Sequence, residues 1–139
     1  MKRKNQIGLN GYQIFESLRE NGGGGGLLTA VKEGLDPICV ETDDDDILVV
    51  ETKLEDKKCR FINGYGKQEN EDENIRKSFF NKLEIEIEKS KLNGSFTCIQ
   101  LDANAKVGKD IIKNDPAETP TPNGKLLIDM VKRLKILKY

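Results

Sequence analysis

The first half of the chain alternates short apolar runs with polar breaks, a pattern typical of strands and turns. Residues 47–50 are continuously apolar, which indicates a strand covered on both faces. Two of the runs flank the polar residues 55–58 and together predict a hairpin. The predicted strands are residues 11–18, 27–32, 38–41, 47–54, 59–63 and 96–101, the last expected to be short and buried.

Helical periodicity appears in two later segments. Four-residue steps of apolar positions predict a helix over residues 75–92, which Asn93-Gly94 would end. Its apolar stripe is Ile75, Phe79, Leu83 and Ile87. A long loop, residues 102–122, precedes a second predicted helix that opens at Asn123-Gly124. The buried stripe of the second helix is expected to be Leu126, Leu127, Met130, Val131 and Leu134.

The order of these elements predicts an α+β fold, a sandwich of two or more layers with mostly antiparallel strands. Residues 136–139 look like the start of one further strand. Two polar segments are interpreted as turns. The glycine run 22–26 is expected to join two neighbouring strands, and the four aspartates 43–46 are expected to form a solvated turn because adjacent like charges repel.

Composition narrows the possible chemistry. The chain has 139 residues, 23 basic and 24 acidic side chains, and no histidine, which excludes an imidazole nucleophile, shuttle or metal ligand from this chain. The length suits one domain, over residues 1–139. No apolar run approaches the roughly 20 residues of a membrane span, and no secretory signal precedes the domain. Cys59 and Cys98 lie in apolar runs and are interpreted as buried free thiols of an intracellular (cytoplasmic or nuclear) protein.

Two strand ends carry candidate functional groups. Asp102 ends the strand 96–101 and Asn104 follows two residues later; a carboxylate there can bind a metal, orient a water or accept a proton, and an amide can donate to an oxyanion. The alternative is a simple turn in which both side chains bond their own backbone. Tyr65 follows the strand 59–63, where its hydroxyl could donate to a phosphate oxygen or its ring could serve packing.

These residues, in this order, resemble the endonuclease/exonuclease/phosphatase superfamily, in particular the endonucleases of LINE-type retrotransposons. The most specific motif is Leu101-Asp102-Ala103-Asn104-Ala105-Lys106-Val107-Gly108, which is similar to the family's Gly-Asp-Phe-Asn-Ala-x-x-Gly. The glycine-led strand 24–32 and the hairpin that ends near Tyr65 also resemble the family. So does Asn123-Gly124-Lys125-Leu126-Leu127, similar to an Asn-Gly-x-x-Leu-Leu that begins the next helix.

The resemblance implies a four-layer α/β/β/α sandwich with a site that cleaves phosphodiester bonds of nucleic acid, with DNA as the expected substrate and Mg²⁺ or Mn²⁺ as cofactor. In it, Asp102 would act on the attacking water and serve as a metal ligand, while Asn104 and Tyr65 would contact the scissile phosphate. A reverse transcriptase encoded further downstream would support an origin in a mobile element.

The chain departs from the family pattern at several positions. Leu101 and Ala103 replace a glycine and an aromatic residue, and no Gln-Glu-Thr metal motif precedes the glycine-led strand. Glu51, within Val50-Glu51-Thr52-Lys53, superficially resembles that motif and is a weak alternative metal ligand. The family's Ser-Asp-His ending would lie beyond Tyr139, so a truncated domain with weak or no activity is expected.

Two other interpretations stay open from the sequence. The first is a non-catalytic remnant that acts at most as a weak nucleic-acid or protein binding module. The second is an unrelated small α+β protein in which Asp102 and Asn104 merely form a turn. Within the family interpretation, the substrate is open between abasic DNA, duplex DNA, RNA, a phosphoinositide and a nucleotide.

Overall fold

The computed structural model describes residues 8–19 and 25–136, and all the predicted strands and helices that fall within these ranges are present. The glycine run 22–26 lies mostly outside the described residues, as does the expected further strand after Ile136. The elements are β1 (Tyr12–Leu18), β2 (Gly26–Lys32), β3 (Ile38–Val40), β4 (Ile47–Leu54), β5 (Lys57–Tyr65), α1 (Glu73–Leu92), β6 (Phe96–Asp102) and α2 (Pro122–Leu134).

The strands form two sheets. The larger has the order β3-β4-β5-β6, in which β5 and β6 run parallel and the other neighbours are antiparallel. The smaller is the antiparallel pair β1-β2. Parallel neighbours need a crossover, which α1 supplies between β5 and β6. As a result, the C-terminal ends of β5 and β6 lie side by side at the same end of the sheet.

The two helices cover one face of the larger sheet, and the smaller sheet lies against the other. Side chains alternate along β4, so Ile47 and Val49 join the helix-facing core while Leu48 and Val50 point to the opposite face. All four are at most 4% exposed, which confirms a strand buried on both faces. The core beneath the helices is formed by Ile47, Val49, Ile62, Phe79, Phe80, Leu83, Ile87, Met130 and Leu134.

The predicted fold class is confirmed: residues 8–19 and 25–136 mix two helices with two sheets of mostly antiparallel strands. The described residues supply a helical layer, a four-stranded sheet and a two-stranded sheet. In the part of the chain that the structure describes, neither helix is long and apolar enough to cross a membrane.

The β4–β5 hairpin is tighter than predicted. Its turn consists of two residues, Glu55 and Asp56, because Lys57 and Lys58 already pair with β4. Both turn residues have positive φ, 48° and 65°. A two-residue turn of this kind matches the right-handed twist of the flanking strands, and aspartate tolerates it well.

Some burial predictions are wrong. Ile75 is 48% exposed, and its place in the core is taken by Phe80, which packs edge-to-face on Phe79. The strand β6 is not buried: alternate residues, from Phe96 to Asp102, are exposed on one face. Cys98 is therefore exposed, as is Cys39, and only Cys59 is a buried thiol. An apolar pattern identifies a strand but does not show which of its faces another layer covers.

A buried arginine links the larger sheet to α1. Arg60 on β5 is 2% exposed and reaches Glu86 of α1, with 2.5 Å between Nη2 and Oε2. Its Nη1 donates to the Glu86 carbonyl oxygen at 2.9 Å. The Arg60 Nε lies 3.1 Å from Glu51 Oε1, close enough for an ion pair but without hydrogen-bond geometry. Glu86 is therefore the principal partner of a charge that water cannot reach.

We expect Glu86→Gln to destabilise the protein by about 3 kcal/mol, because it leaves the buried Arg60 guanidinium without its main countercharge. Glu84 on the same helix makes an exposed pair with Arg133 and is the matched control. Glu84→Gln should cost less than about 1 kcal/mol. Urea denaturation checks both values, and equal losses would contradict the role assigned to the buried pair.

Candidate functional site

The parallel register of β5 and β6 places Tyr65 beside Asp102. The two residues are Cα partners at the last position of the ladder, so their backbones are separated by about one strand spacing, ~4.8 Å. Their neighbours Leu101 and Ile99 pack towards the helices, and alternation then directs Tyr65 and Asp102 to the other face. Two of the predicted site residues are thus adjacent, with Asp102 exposed and Tyr65 half-buried.

Asn104 completes the predicted set by closing the loop after β6. Its backbone has a φ of 45°, in the left-handed region that asparagine tolerates, and its N–H donates to Asp102 Oδ1 at 3.1 Å. The side-chain Nδ2 donates to the carbonyl oxygen of Gly66 at 2.6 Å. An amide nitrogen has two hydrogens, and among the described residues only Gly66 accepts from this one, so the second can donate to a ligand. The turn interpretation therefore holds for the Asp102 side chain, which bonds the local backbone, but not for the Asn104 side chain, which bonds the segment after β5.

The chain segments that leave β5 and β6 are in direct contact at Gly66. The Gly66 N–H donates to the Asp102 carbonyl oxygen at 2.6 Å. A Cβ at this position would lie 2.5 Å from the Ala103 carbonyl oxygen and 2.7 Å from its carbonyl carbon. Only glycine fits this approach, which is what brings Tyr65, Asp102 and Asn104 to one edge.

Asn123, at the start of α2, forms hydrogen bonds with both of these loops. Its side chain is fully buried, and its Nδ2 donates to the carbonyl oxygens of Lys67 at 2.8 Å and Asn104 at 3.1 Å. Its Oδ1 accepts from Nη1 of Arg76 on α1 at 3.1 Å. Gly124 follows because a Cβ there would lie 1.9 Å from the Lys106 carbonyl oxygen. The Asn-Gly pair is thus a brace between both loops and both helices.

The predicted solvated turn at residues 43–46 is wrong for its last aspartate. Asp46 is 5% exposed and pairs with Arg19 at 2.7 Å and with Lys67. Burial alone would raise the pKa of the Asp46 carboxyl, but the hydrogen bonds from Arg19 and Lys67 outweigh it and hold that pKa below its usual range. The carboxylate is thereby kept charged beside the strand ends. The backbone carbonyl oxygen of Asp46 also accepts a hydrogen bond from the Tyr65 N–H at 2.9 Å.

Arg19 lies over the ring of Tyr65, with 4.6 Å between its guanidinium carbon and the ring centroid. The Tyr65 hydroxyl accepts from Gln68 Nε2 at 3.3 Å. The hydrogen bond with Asp46 raises the pKa of Arg19 above its already high value. Tyr65 is therefore held by a cation on its face, and no described residue accepts a hydrogen bond from its hydroxyl, which can donate to a ligand.

Glu51 lies away from this group, in the interior of β4 beside the N-terminal half of β5. It pairs with Arg60 and lines a cavity of about 580 Å³ with Leu35, Ile38 and Cys59. Its register partners are Ile38 and Arg60, whereas the strand-end residue Tyr65 lies beyond the other end of β4. The structure therefore does not bring Glu51 together with Asp102.

Within residues 8–19 and 25–136, no three acidic or cysteine side chains converge as a metal site. Asp102 is an exposed carboxylate at the strand ends, while Asp46 is occupied by two cations. Mg²⁺ is commonly held by one or two carboxylates together with substrate phosphate oxygens and waters. Asp102 is the carboxylate at these strand ends that could hold Mg²⁺ in that way.

The sequence identified three of the residues at this edge and missed the charged and bracing groups around them. Lys67 and Asn123 carry weak signals, a polar loop after Tyr65 and an Asn-Gly pair at a helix start. Asp46 and Arg19 carried none, because their pairing joins positions 27 residues apart.

We expect Gly66→Ala to destabilise the protein by about 1–3 kcal/mol, because its Cβ overlaps the Ala103 backbone. Gly8→Ala is the control, since a Cβ at Gly8 meets nothing within 4 Å. It should change the stability by less than about 0.5 kcal/mol. Chemical denaturation compares the two, and a tolerated Gly66→Ala would contradict the close approach.

Stability should fall in acid through Asp46. A carboxyl whose pKa is lower in the folded state stabilises the fold above its unfolded pKa, and that contribution disappears as pH falls through the folded pKa. The loss should begin near the ordinary value of 3.8 and continue below it. Asp46→Asn should lower stability at neutral pH and flatten this acid limb, whereas the exposed Asp56→Asn should leave it unchanged. Denaturation measured across this pH range tests both, and parallel acid limbs for Asp46→Asn and the unaltered chain would refute the assignment.

Comparison with known proteins supports the resemblance at the level of fold. The sequence matches no protein-family model and no curated protein. The structure is similar to the solved endonuclease domain of TRAS1, a telomere-specific non-LTR retrotransposon, with a TM-score of 0.64 and 18% sequence identity. The similarity covers 91% of this chain and 53% of that domain, so the chain spans about half of its length. Over almost all of its residues, the chain therefore shares its fold with part of a retrotransposon endonuclease domain.

Proposed function

We propose that this chain contributes to the hydrolysis of phosphodiester bonds in nucleic acid, with DNA as the expected substrate. The observation that carries the proposal is the placement of Tyr65 and Asp102 as neighbours on one face at the ends of β5 and β6. Asn104 stands beside them through its bond to Gly66. The fold shared with a retrotransposon endonuclease domain makes nucleic acid the natural substrate class.

Each residue has a role that its geometry permits. Asp102 is exposed, and its carboxylate would orient the attacking water and accept its proton as the water oxygen bonds to phosphorus. The bond from phosphorus to the leaving sugar oxygen breaks, and solvent protonates that oxygen. The Tyr65 hydroxyl and the second N–H of Asn104 would donate to the non-bridging phosphate oxygens.

We propose Mg²⁺, with Mn²⁺ as a substitute, as the cofactor. Asp102 would hold it together with phosphate oxygens of the substrate. A bound Mg²⁺ would stabilise the negative charge that develops on the phosphoryl group. The same carboxylate is then expected to be the residue on which any metal dependence of this chain rests.

A second candidate function is a nucleic-acid binding module without cleavage. It is favoured by the donor set: the described residues include no convergent group of three metal ligands, and the chain has no histidine to act as an acid or base. We therefore expect cleavage by this chain alone to be slow, and binding to be the easier activity to detect.

Nicking of supercoiled DNA in the presence of Mg²⁺ tests the proposal. Any nicking by the chain should be lost in Asp102→Asn, because the amide neither accepts the proton nor holds the metal. Asp56→Asn is the matched control: it makes the same change at the opposite end of β5, in an exposed turn. Equal traces of nicking in all three proteins would indicate contamination and refute hydrolysis by this chain.

Tyr65→Phe should lower the nicking rate by a factor on the order of 10² when Asp102 is intact, because one donor to the phosphate is removed. The ring and its contact with Arg19 are kept, so the melting temperature should stay close to that of the unaltered chain. An unchanged rate would assign Tyr65 to packing.

A further inference from the structure

We propose that Arg19 and Lys67 form a clamp for a backbone phosphate of the nucleic acid, beside the Tyr65 hydroxyl. The clamp rests on the proposed function for its ligand, a phosphodiester strand bound at the C-terminal ends of β5 and β6. Buried Asp46 positions the clamp, because its carboxylate pairs with both cations.

The two cations come from different parts of the fold and converge on one carboxylate. Arg19 follows β1 in the smaller sheet, and Lys67 lies in the loop after β5. The hydroxyl of Ser17 fastens the end of β1 to this turn by donating to the Asp45 carbonyl oxygen at 2.6 Å. The convergence therefore depends on packing of the two sheets and not on one local turn.

Both cations keep part of their surface open. The side chain of Asp46 is 7% exposed, whereas those of Arg19 and Lys67 are 34% and 20% exposed. The carboxylate is thus covered, whereas each cation keeps a minor part of its side chain at the surface. Lys67 also lies 3.8 Å from Asp44 Oδ1, so the two cations face two carboxylates. Neutralising those carboxylates would not require either cation to stay accessible.

Arg19 also retains unused donors. A guanidinium carries five N–H groups, and the hydrogen bond to Asp46 uses only the one on Nε. Among the residues that the structure describes, no other partner accepts from Arg19. Four N–H groups in a planar fork are therefore available, which is the geometry that suits phosphate oxygens.

The clamp lies next to Tyr65, a residue of the proposed cleavage site. The guanidinium carbon lies 4.6 Å from the centroid of the Tyr65 ring, so a phosphate bound by Arg19 is close to one that accepts from the Tyr65 hydroxyl. One strand could then contact the clamp and the hydroxyl together. Contacts of this kind position a nucleic-acid backbone without reading its sequence.

Other arginines of the described chain are committed elsewhere. Arg60 and Arg76 are at least nine-tenths buried and hold α1 to β5 and α2. Arg133 is exposed, but both Nε and Nη2 donate to Glu84 on the helical layer. Arg133 is therefore a suitable control, an exposed arginine that is remote from the clamp.

The test is binding of a short fluorescein-labelled DNA duplex, followed by anisotropy in EDTA so that metal-dependent cleavage cannot contribute. We expect Arg19→Gln and Lys67→Gln each to weaken binding by a factor on the order of three to ten. Each should also reduce the slope of log K against log salt by about 0.9, the amount expected for one lost phosphate contact. Arg133→Gln should change neither quantity.

Charge-conserving variants separate phosphate binding from a purely structural role. Arg19→Lys and Lys67→Arg should keep the salt slope of the unaltered chain even where the melting temperature falls. They also carry the test if a glutamine variant does not fold. If the charge-conserving variants lose the slope, or the glutamine variants match Arg133→Gln, the two cations serve only to neutralise Asp46 and the clamp is refuted.

The clamp and the hydrolysis proposal fail in distinguishable ways. Salt-dependent binding that requires Arg19 and Lys67, without Asp102-dependent nicking, would support the clamp and refute hydrolysis by this chain. Nicking that depends on Asp102 but is insensitive to both clamp variants would do the opposite. Absence of any salt-dependent binding by the unaltered chain would refute the clamp.

Discussion

The contact between the chain segments leaving β5 and β6 is the constraint on which the polar end of the molecule depends. At Gly66 and Ala103 the two backbones are closer than any side chain would permit. That closeness lets Asn104 reach across to the Gly66 carbonyl oxygen and lets buried Asn123 bond to both loops. If these two segments moved apart, the hydrogen bond from Asn104 to Gly66 would break.

Much of the fold follows from local pattern. The apolar run of β4 predicts its double burial, and the four-residue steps of Phe79, Leu83 and Ile87 predict the buried face of α1, because periodicity directly records which side chains share a face. The exposed face of β6 and the exposure of Ile75 could not be predicted this way. They depend on how far neighbouring layers extend, which no local pattern encodes.

The same distinction, between local pattern and tertiary packing, applies to the residues of the candidate site. Asp102, Asn104 and Tyr65 could be found because each follows a recognisable strand, and strand ends are where a scaffold presents polar groups. Asp46 was misjudged because a run of four aspartates is normally solvated. The buried charge of Asp46 is stabilised by two cations that lie 27 and 21 residues away in the sequence. Charges of this type become interpretable only when tertiary structure shows which partner each one has.

The three cysteines lead to a consequence of a different kind. Cys39 and Cys98 occupy opposite edges of the larger sheet in a single row, Cys39–Val50–Phe61–Cys98, which spans three strand spacings or about 14 Å. A disulfide needs its Cα atoms within about 7 Å, so these thiols cannot close a ring within one folded molecule. Under oxidising conditions the two exposed sulfurs can react only with other molecules. Each molecule then has two thiols, on opposite edges of the sheet, that can form intermolecular disulfides. Air oxidation would therefore yield linear disulfide-linked oligomers, which a reducing agent would return to monomers.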